Sequence, residues 1–289
     1  MEKDVRSYIK YIFSLILFGT NGIVASHILL DSYQIVFLRS LIGSIFLIIV
    51  FIFSKSKLHV LENKLHFLYL AISGISMGAG WMFLYEAYIQ IGVSLSALVG
   101  CCGPVIVIML SNLIFKEKIA VSKVVGFLVV IAGMYFVNME SLQIAGFSVG
   151  MLCGIMSAVM YAILVIFNKK AKSITGLENS MFQLIFCFLT VAIFVMIKGG
   201  IKMEALIDNI VPVLVLGVIN TGIGCYIYFS IIQKLSVGTV AICGYIEPLA
   251  ALIFSAIFLN ERLSFIQMVG AVCILGGALF AELSKSKQI

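Results

Sequence analysis

The chain is a succession of long apolar runs separated by short polar breaks. A helix that crosses a bilayer needs roughly 20 mostly apolar residues. Ten runs of that kind fit the sequence. The first five are Tyr8 to Leu30, Ser32 to Phe53, Leu65 to Tyr88, Val93 to Phe115 and Val121 to Asn138. The second five are Gly146 to Phe167, Ser180 to Ile197, Ile210 to Ile232, Val237 to Leu259 and Phe265 to Leu283. The pattern predicts an all-α integral membrane protein of ten transmembrane helices. The connectors are short, and the longest, near Lys198 to Asn209, reads as a surface loop.

Composition sharpens this picture. Of 289 residues, 62% are hydrophobic and 11% are charged. A soluble domain carries roughly 25% charged residues, so lipid is the expected solvent here. The net charge of +6 raises the question of nucleic acid, but the basic residues sit between apolar runs and serve topology instead. With the N-terminus inside, fifteen Lys and Arg fall in inner segments and three in outer ones. The positive-inside rule then predicts a multi-pass protein of a bacterial-type plasma membrane, with both termini cytoplasmic. Lys3, Arg6 and Lys10 ahead of the first run resemble a signal-peptide start. That run is needed as the first helix of a repeat, so it is read as retained.

The repeat has an offset of 144 residues. Gly78, Gly80, Val93, Ala97, Gly100 and Pro104 recur as Gly222, Gly224, Val237, Ala241, Gly244 and Pro248. Ser111, Glu117, Gly126 and Gly133 recur as Ser255, Glu261, Gly270 and Gly277. The units are expected at residues 1–144 and 145–289. Each holds five spans, an odd number, so the second enters the membrane from the opposite side. Inverted repeats of this kind suit secondary transport, because near-equal halves can exchange inward- and outward-open shapes.

The whole chain resembles the drug/metabolite transporter superfamily in its ten-helix EamA-type form with two EamA domains. The likeness rests on Gly103-Pro104 followed by Phe115-Lys116-Glu117-Lys118, and on Glu247-Pro248 followed by Leu259-Asn260-Glu261-Arg262. The Gly126 to Gly133 spacing, repeated at Gly270 to Gly277, also fits. The resemblance implies movement of small metabolites such as amino acids or amines.

Proline at matching mid-span positions is the best pointer to a transporter site. Pro104 and Pro248 each lie 11 residues into their spans. Each frees a backbone carbonyl one turn earlier, at Gly100 and Gly244. Glu247 lies at the same depth, where a carboxylate is costly unless paired, protonated or facing water. It is expected to face a central cavity, as a proton-titrating group or as the anion for a substrate amine. Arg39 and Glu86 are the other charges within spans, read as an ion pair or a gate. Trp81, Tyr85 and Tyr88 share a helix face. With Tyr245, Tyr226 and Tyr228 they are candidates for cation–π contact with a substrate. Asn21 and Asn220, and beyond them Asn112, are mid-span amides that serve as helix–helix glue or cavity contacts.

Enzymatic readings lack their parts. Gly146-Phe147-Ser148-Val149-Gly150 matches G-x-S-x-G, but no histidine follows it. A hydrolase of that type needs one. The sequence has no H-E-x-x-H and no phosphate-binding loop. The seven cysteines lie in apolar runs without C-x-x-C spacing and imply neither disulfides nor metal. The expectation is a secondary transporter with no cofactor and no catalytic or metal-ligating residue. It exports a small-molecule substrate by alternating access, driven by the substrate gradient or by protons. Its partners are the lipid bilayer and at most a second copy, as monomer or homodimer, with no nucleic acid. The other reading is a membrane sensor or assembly protein that transports nothing.

Overall fold

The computed structural model describes residues 2–56, 58–60, 62–115, 121–122, 125–126, 128–130, 132–133, 135–136, 139, 148–199, 209–235, 237–260 and 264–283. These residues are helical throughout apart from short turns. Nearly all of the predicted fifth span, Val121 to Asn138, lies outside long described stretches. Helicity is what lipid demands, because every backbone N–H and C=O must find its partner within the segment. Among the described residues seven helical stretches are long and apolar enough to cross a bilayer, and Phe265–Gly277 is a shorter apolar one. Large side chains such as Phe53, Met196 and Val272 lie open on the outer surface, as lipid-facing residues do.

The first predicted span is broken into α1 (Glu2–Gly19) and α2 (Asn21–Ser26) at Thr20. The second is one helix, α3 (Ser32–Phe53). The third and the start of the fourth run together as α4 (Lys64–Gly100), which turns at Gly92 with φ 79°. Glycine is the residue that adopts such a backbone without strain. The fourth span ends as α5 (Cys102–Phe115). Next come α6 (Val149–Lys170) and α7 (Gly176–Ile197). Ser148 of the G-x-S-x-G stretch caps α6, its hydroxyl accepting from the Met151 N–H at 3.2 Å. The eighth predicted span comprises α8 (Ile210–Leu214), a π-helical segment (Val215–Ile223) and α9 (Gly224–Ile232). The ninth is split into α10 (Val237–Gly244) and α11 (Ile246–Phe258), and α12 (Phe265–Leu283) follows.

Small residues let these helices approach closely. A Cβ on Gly74 would lie 2.5 Å from Phe186 Cβ, and one on Gly154 would lie 2.9 Å from Val99. The contacts also come in exchanged pairs. Gly78 abuts Thr190, while Gly222 abuts Phe46, which is Thr190 less 144. Gly133 abuts Gly270, while Gly277 abuts Gly126. At the level of elements, α1 packs on α11 as α5 packs on α6, and α3 packs on the π-helical segment as α4 packs on α7.

Candidate functional site

Two helix breaks define the centre. One falls at Cys101 between α4 and α5, and the other at Tyr245 between α10 and α11. They occupy the same register at an offset of 144, and each precedes its proline by three residues. Proline removes the donor that would have satisfied the carbonyl four residues earlier. Gly100 has open space where a side chain would stand, with nothing within 4 Å. Gly244 is crowded instead, by the Tyr161 hydroxyl at 3.1 Å and Pro104 Cγ at 3.2 Å from its Cβ position.

Gly100, Pro104, Gly244, Glu247 and Pro248 all border one cavity of about 110 Å³. Trp81 and Tyr88 of α4, Phe18 of α1 and Tyr161 of α6 complete its aromatic wall. A chamber of about 60 Å³ lies behind it, bordered by Asn21, Trp81, Tyr161, Tyr228 and Glu247. Glu247 sits in the first turn of α11 and borders both spaces. A third space of about 240 Å³ lies toward Ser26, Ser32 and Val93, with Tyr85 and Tyr88 in its wall.

Arg39 and Glu86 do not meet. The Arg39 side chain is 1% exposed. Its Nε donates to Thr221 Oγ1 at 2.9 Å and one terminal nitrogen donates to Asn21 Oδ1 at 3.3 Å. The other terminal nitrogen donates to the Tyr85 hydroxyl. The guanidinium carbon lies 4.0 Å from the centre of the Trp81 ring. Glu86 accepts instead from Ser32 Oγ at 2.8 Å and Gln90 Nε2 at 2.6 Å. The cause is helical geometry, since neighbours on a helix point roughly 100° apart. Tyr85 takes the inward direction, and Glu86 turns to the start of α3, whose N-terminal dipole favours a carboxylate.

Asn220 ties the second half to the break in the first. Its amide donates to Leu17 O at 3.1 Å, Thr20 Oγ1 at 2.8 Å and Asn21 Oδ1 at 3.1 Å. Asn21 and Asn220 are therefore bonded to each other, and Asn21 also borders the chamber. Tyr245 is 5% exposed and packs with Cys101, Val105 and Ile274, and it is not among the residues that line the cavity. Tyr226 is 41% exposed on the outer surface. The side chain of Asn112 lies outside the described residues. Tyr228, one of the aromatic candidates, borders the chamber, whereas sequence reasoning missed Tyr161. The single usable signal was that Tyr161 is an aromatic residue deep inside a span. Among the described residues no three His, Cys, Asp or Glu side chains converge as a metal site would require.

Comparison with known proteins agrees with this architecture. A model described as the EamA-like transporter family matches residues 6–139 and 148–283. Uncharacterized transporter YxxF of Bacillus subtilis (strain 168) is 23% identical, over 96% of this chain and 89% of its own. Uncharacterized transporter YvbV of the same organism is 26% identical, over 93% of this chain and 89% of its own. Protein PecM of Dickeya dadantii (strain 3937) is 24% identical, over 73% and 72%. A solved crystal structure superposes with a TM-score of 0.72 at 17% identity, over 96% of this chain and 98% of the other.

Proposed function

The chain belongs to the EamA-like transporter family, and from that premise we propose that it is a proton-coupled, alternating-access exporter of small organic metabolites such as amino acids or amines. The observation that carries this reading is convergence. Both prolines, both matching glycines and the carboxylate of Glu247 border one central space. A broken helix exposes backbone carbonyls to that space, and a carboxylate beside them can take up either a proton or a cationic group.

The mechanical half of the proposal is two inverted five-helix units, residues 1–144 and 145–289, in ten spans. Exchanged contacts support it. A contact between one residue and the copy of another, paired with the reverse contact, is what a two-fold relation produces. The exchanges at Gly78 and Gly222, and at Gly133 and Gly277, are of that form. An odd number of spans per unit puts such an axis in the membrane plane. Both termini are then cytoplasmic in a plasma membrane, and one chain holds a whole cavity, so a monomer suffices and a homodimer adds a second path.

Proteoliposomes test the function. Purified protein reconstituted with labelled amino acids and amines should release at least one of them faster than protein-free vesicles, with a rate that responds to an imposed pH gradient. Glu247→Gln should abolish that response. No facilitated release of any compound sinks the transporter reading, and an unchanged gradient response in Glu247→Gln removes Glu247 from coupling.

A further inference from the structure

Tyr161 and Tyr228 border the chamber behind the cavity, and Tyr11 packs on Tyr228; the transport reading uses none of their hydroxyls. Tyr228 is 3% exposed and Tyr11 is fully buried. The Tyr161 and Tyr228 hydroxyls are enclosed and complete no hydrogen bond of good geometry, although they lie within electrostatic reach of each other and of Tyr11. A buried hydroxyl in that state is costly, and water resolves the cost where space and polar partners exist. The chamber of about 60 Å³ has that space, since one water needs only about 10–15 Å³.

The groups are also in sequence. Glu247, Tyr161 and Tyr228 border the chamber. The Tyr228 ring lies 5.2 Å from that of Tyr11. The Tyr11 hydroxyl donates to Val240 O at 3.5 Å, beside the second helix break. The path therefore runs from Glu247 toward the N-terminal half of α1. None of the three tyrosines recurs in the repeat, where Ile155, Leu17 and Leu84 stand at the matching positions. The polar path is one-sided in a fold that is otherwise nearly two-sided.

We propose that water in this chamber and the hydroxyls of Tyr161, Tyr228 and Tyr11 form a proton relay that serves Glu247 from one side of the membrane. The proposal rests on the reading of Glu247 as the coupling carboxylate. In each step a hydroxyl oxygen accepts a proton from one neighbour and releases its own to the next. Glu247 gains one proton, a hydronium ion of the solvent that feeds the path gives it up and becomes water, and every tyrosine finishes as it began. Arg39 on α3 is the cation that acts on Glu247. The other titratable groups in its field are the relay tyrosines, Tyr85 and Tyr88 on α4, and Cys225 on α9.

Trp81 is the only tryptophan in the chain, and it borders the chamber. Its emission is a built-in reporter of charge on Glu247. A stopped-flow pH jump on the purified full-length protein should give an emission step that is absent in Glu247→Gln. Tyr161→Phe and Tyr228→Phe keep their rings, and each should slow the step roughly tenfold without changing its final amplitude. The wild-type step should also slow in heavy water. Equal rates in wild type and both Phe variants overturn the relay and leave Glu247 as the coupling group. A wild-type protein with no step, or a step that survives in Glu247→Gln, overturns the relay together with the role of Glu247. The vesicle release assay decides transport separately.

Discussion

Two buried polar nodes occupy matching positions in the two halves and are built from different chemistry. In one, Arg39 on α3 reaches Thr221 on the π-helical segment, with Asn21 and Tyr85 as further acceptors. In the other, Gln183 on α7 stands 144 residues later. It donates to Ser73 Oγ at 2.9 Å and Met77 Sδ at 3.7 Å, both on α4. Met77 is the counterpart of Thr221, so the two nodes make the same cross-half contact. The neutral node sits on regular helices and is completed by Asn168 and Asn179. The charged node sits where helices are irregular. Thr221 Oγ1 donates to Leu216 O, five residues back, at 2.7 Å, as the π-helix allows. A guanidinium needs several acceptors at once, and breaks at Thr20 and in the π-helical segment supply them. An amide needs fewer, and an unbroken helix can host it.

The sharpest way to break this comparison is to remove the charge. Arg39→Leu leaves Thr221, Asn21 and Tyr85 without their shared donor, and the Trp81 ring without its cation. The expected loss is about 2–4 kcal/mol, at the usual cost of orphaned buried polar groups. Thermal unfolding followed by circular dichroism in detergent measures it. Arg39→Lys should recover only part of the loss, because an ammonium cannot present a planar fork of donors. Full recovery by lysine would show that charge alone matters and geometry does not.

A second test probes the frame that carries both nodes. Gly78 and Gly222 are equivalent in sequence but not in surroundings. A Cβ on Gly78 would lie 2.7 Å from the backbone oxygen of Cys187, which is fixed within α7. A Cβ on Gly222 would lie 2.6 Å from Cδ1 of the Phe46 ring, which can turn. Gly78→Ala should cost about 1–3 kcal/mol as an overpacked contact, and Gly222→Ala less. The reverse order in melting temperature would mean that the α3 face is the stiffer one.

These differences mark the boundary of what the sequence could tell. Apolar runs alone located α3 to its end residues, Ser32 and Phe53. The recurring Gly and Pro pairs pointed to Gly100, Pro104, Gly244 and Pro248, which the structure gathers round one cavity. Such signals are legible because lipid and proline impose constraints on every chain. The Arg39–Glu86 pair failed because depth along a span says nothing of direction around it. Depth likewise does not give the direction in which Tyr245 packs, against Cys101, Val105 and Ile274. The break at Thr20 and the π-helical segment carry no proline; Asn220 donates to Thr20 Oγ1 from far along the chain, and Thr221 donates within its own segment to Leu216 O, neither of which a search for proline can find. Tyr161 escaped notice because the repeat has Leu17 at that position, and a search for matched residues passes over unmatched ones.

The smallest expected effect belongs to the neutral node. Gln183→Leu removes one amide from a cluster whose other members remain paired. Asn168 and Asn179 bond each other in both directions, at 2.9 and 3.1 Å. The Ser73 hydroxyl keeps its own acceptor, Leu164 O, at 2.9 Å. Only modest partners are lost, because the Met77 sulfur is a weak acceptor. The expected loss is about 1 kcal/mol, the net worth of an ordinary buried hydrogen bond. The same unfolding measurement that reads Arg39→Leu reads this variant. A loss equal to that of Arg39→Leu would mean that burial at this contact, rather than charge, sets the worth of each node, and the irregular helices around Arg39 would need another cause.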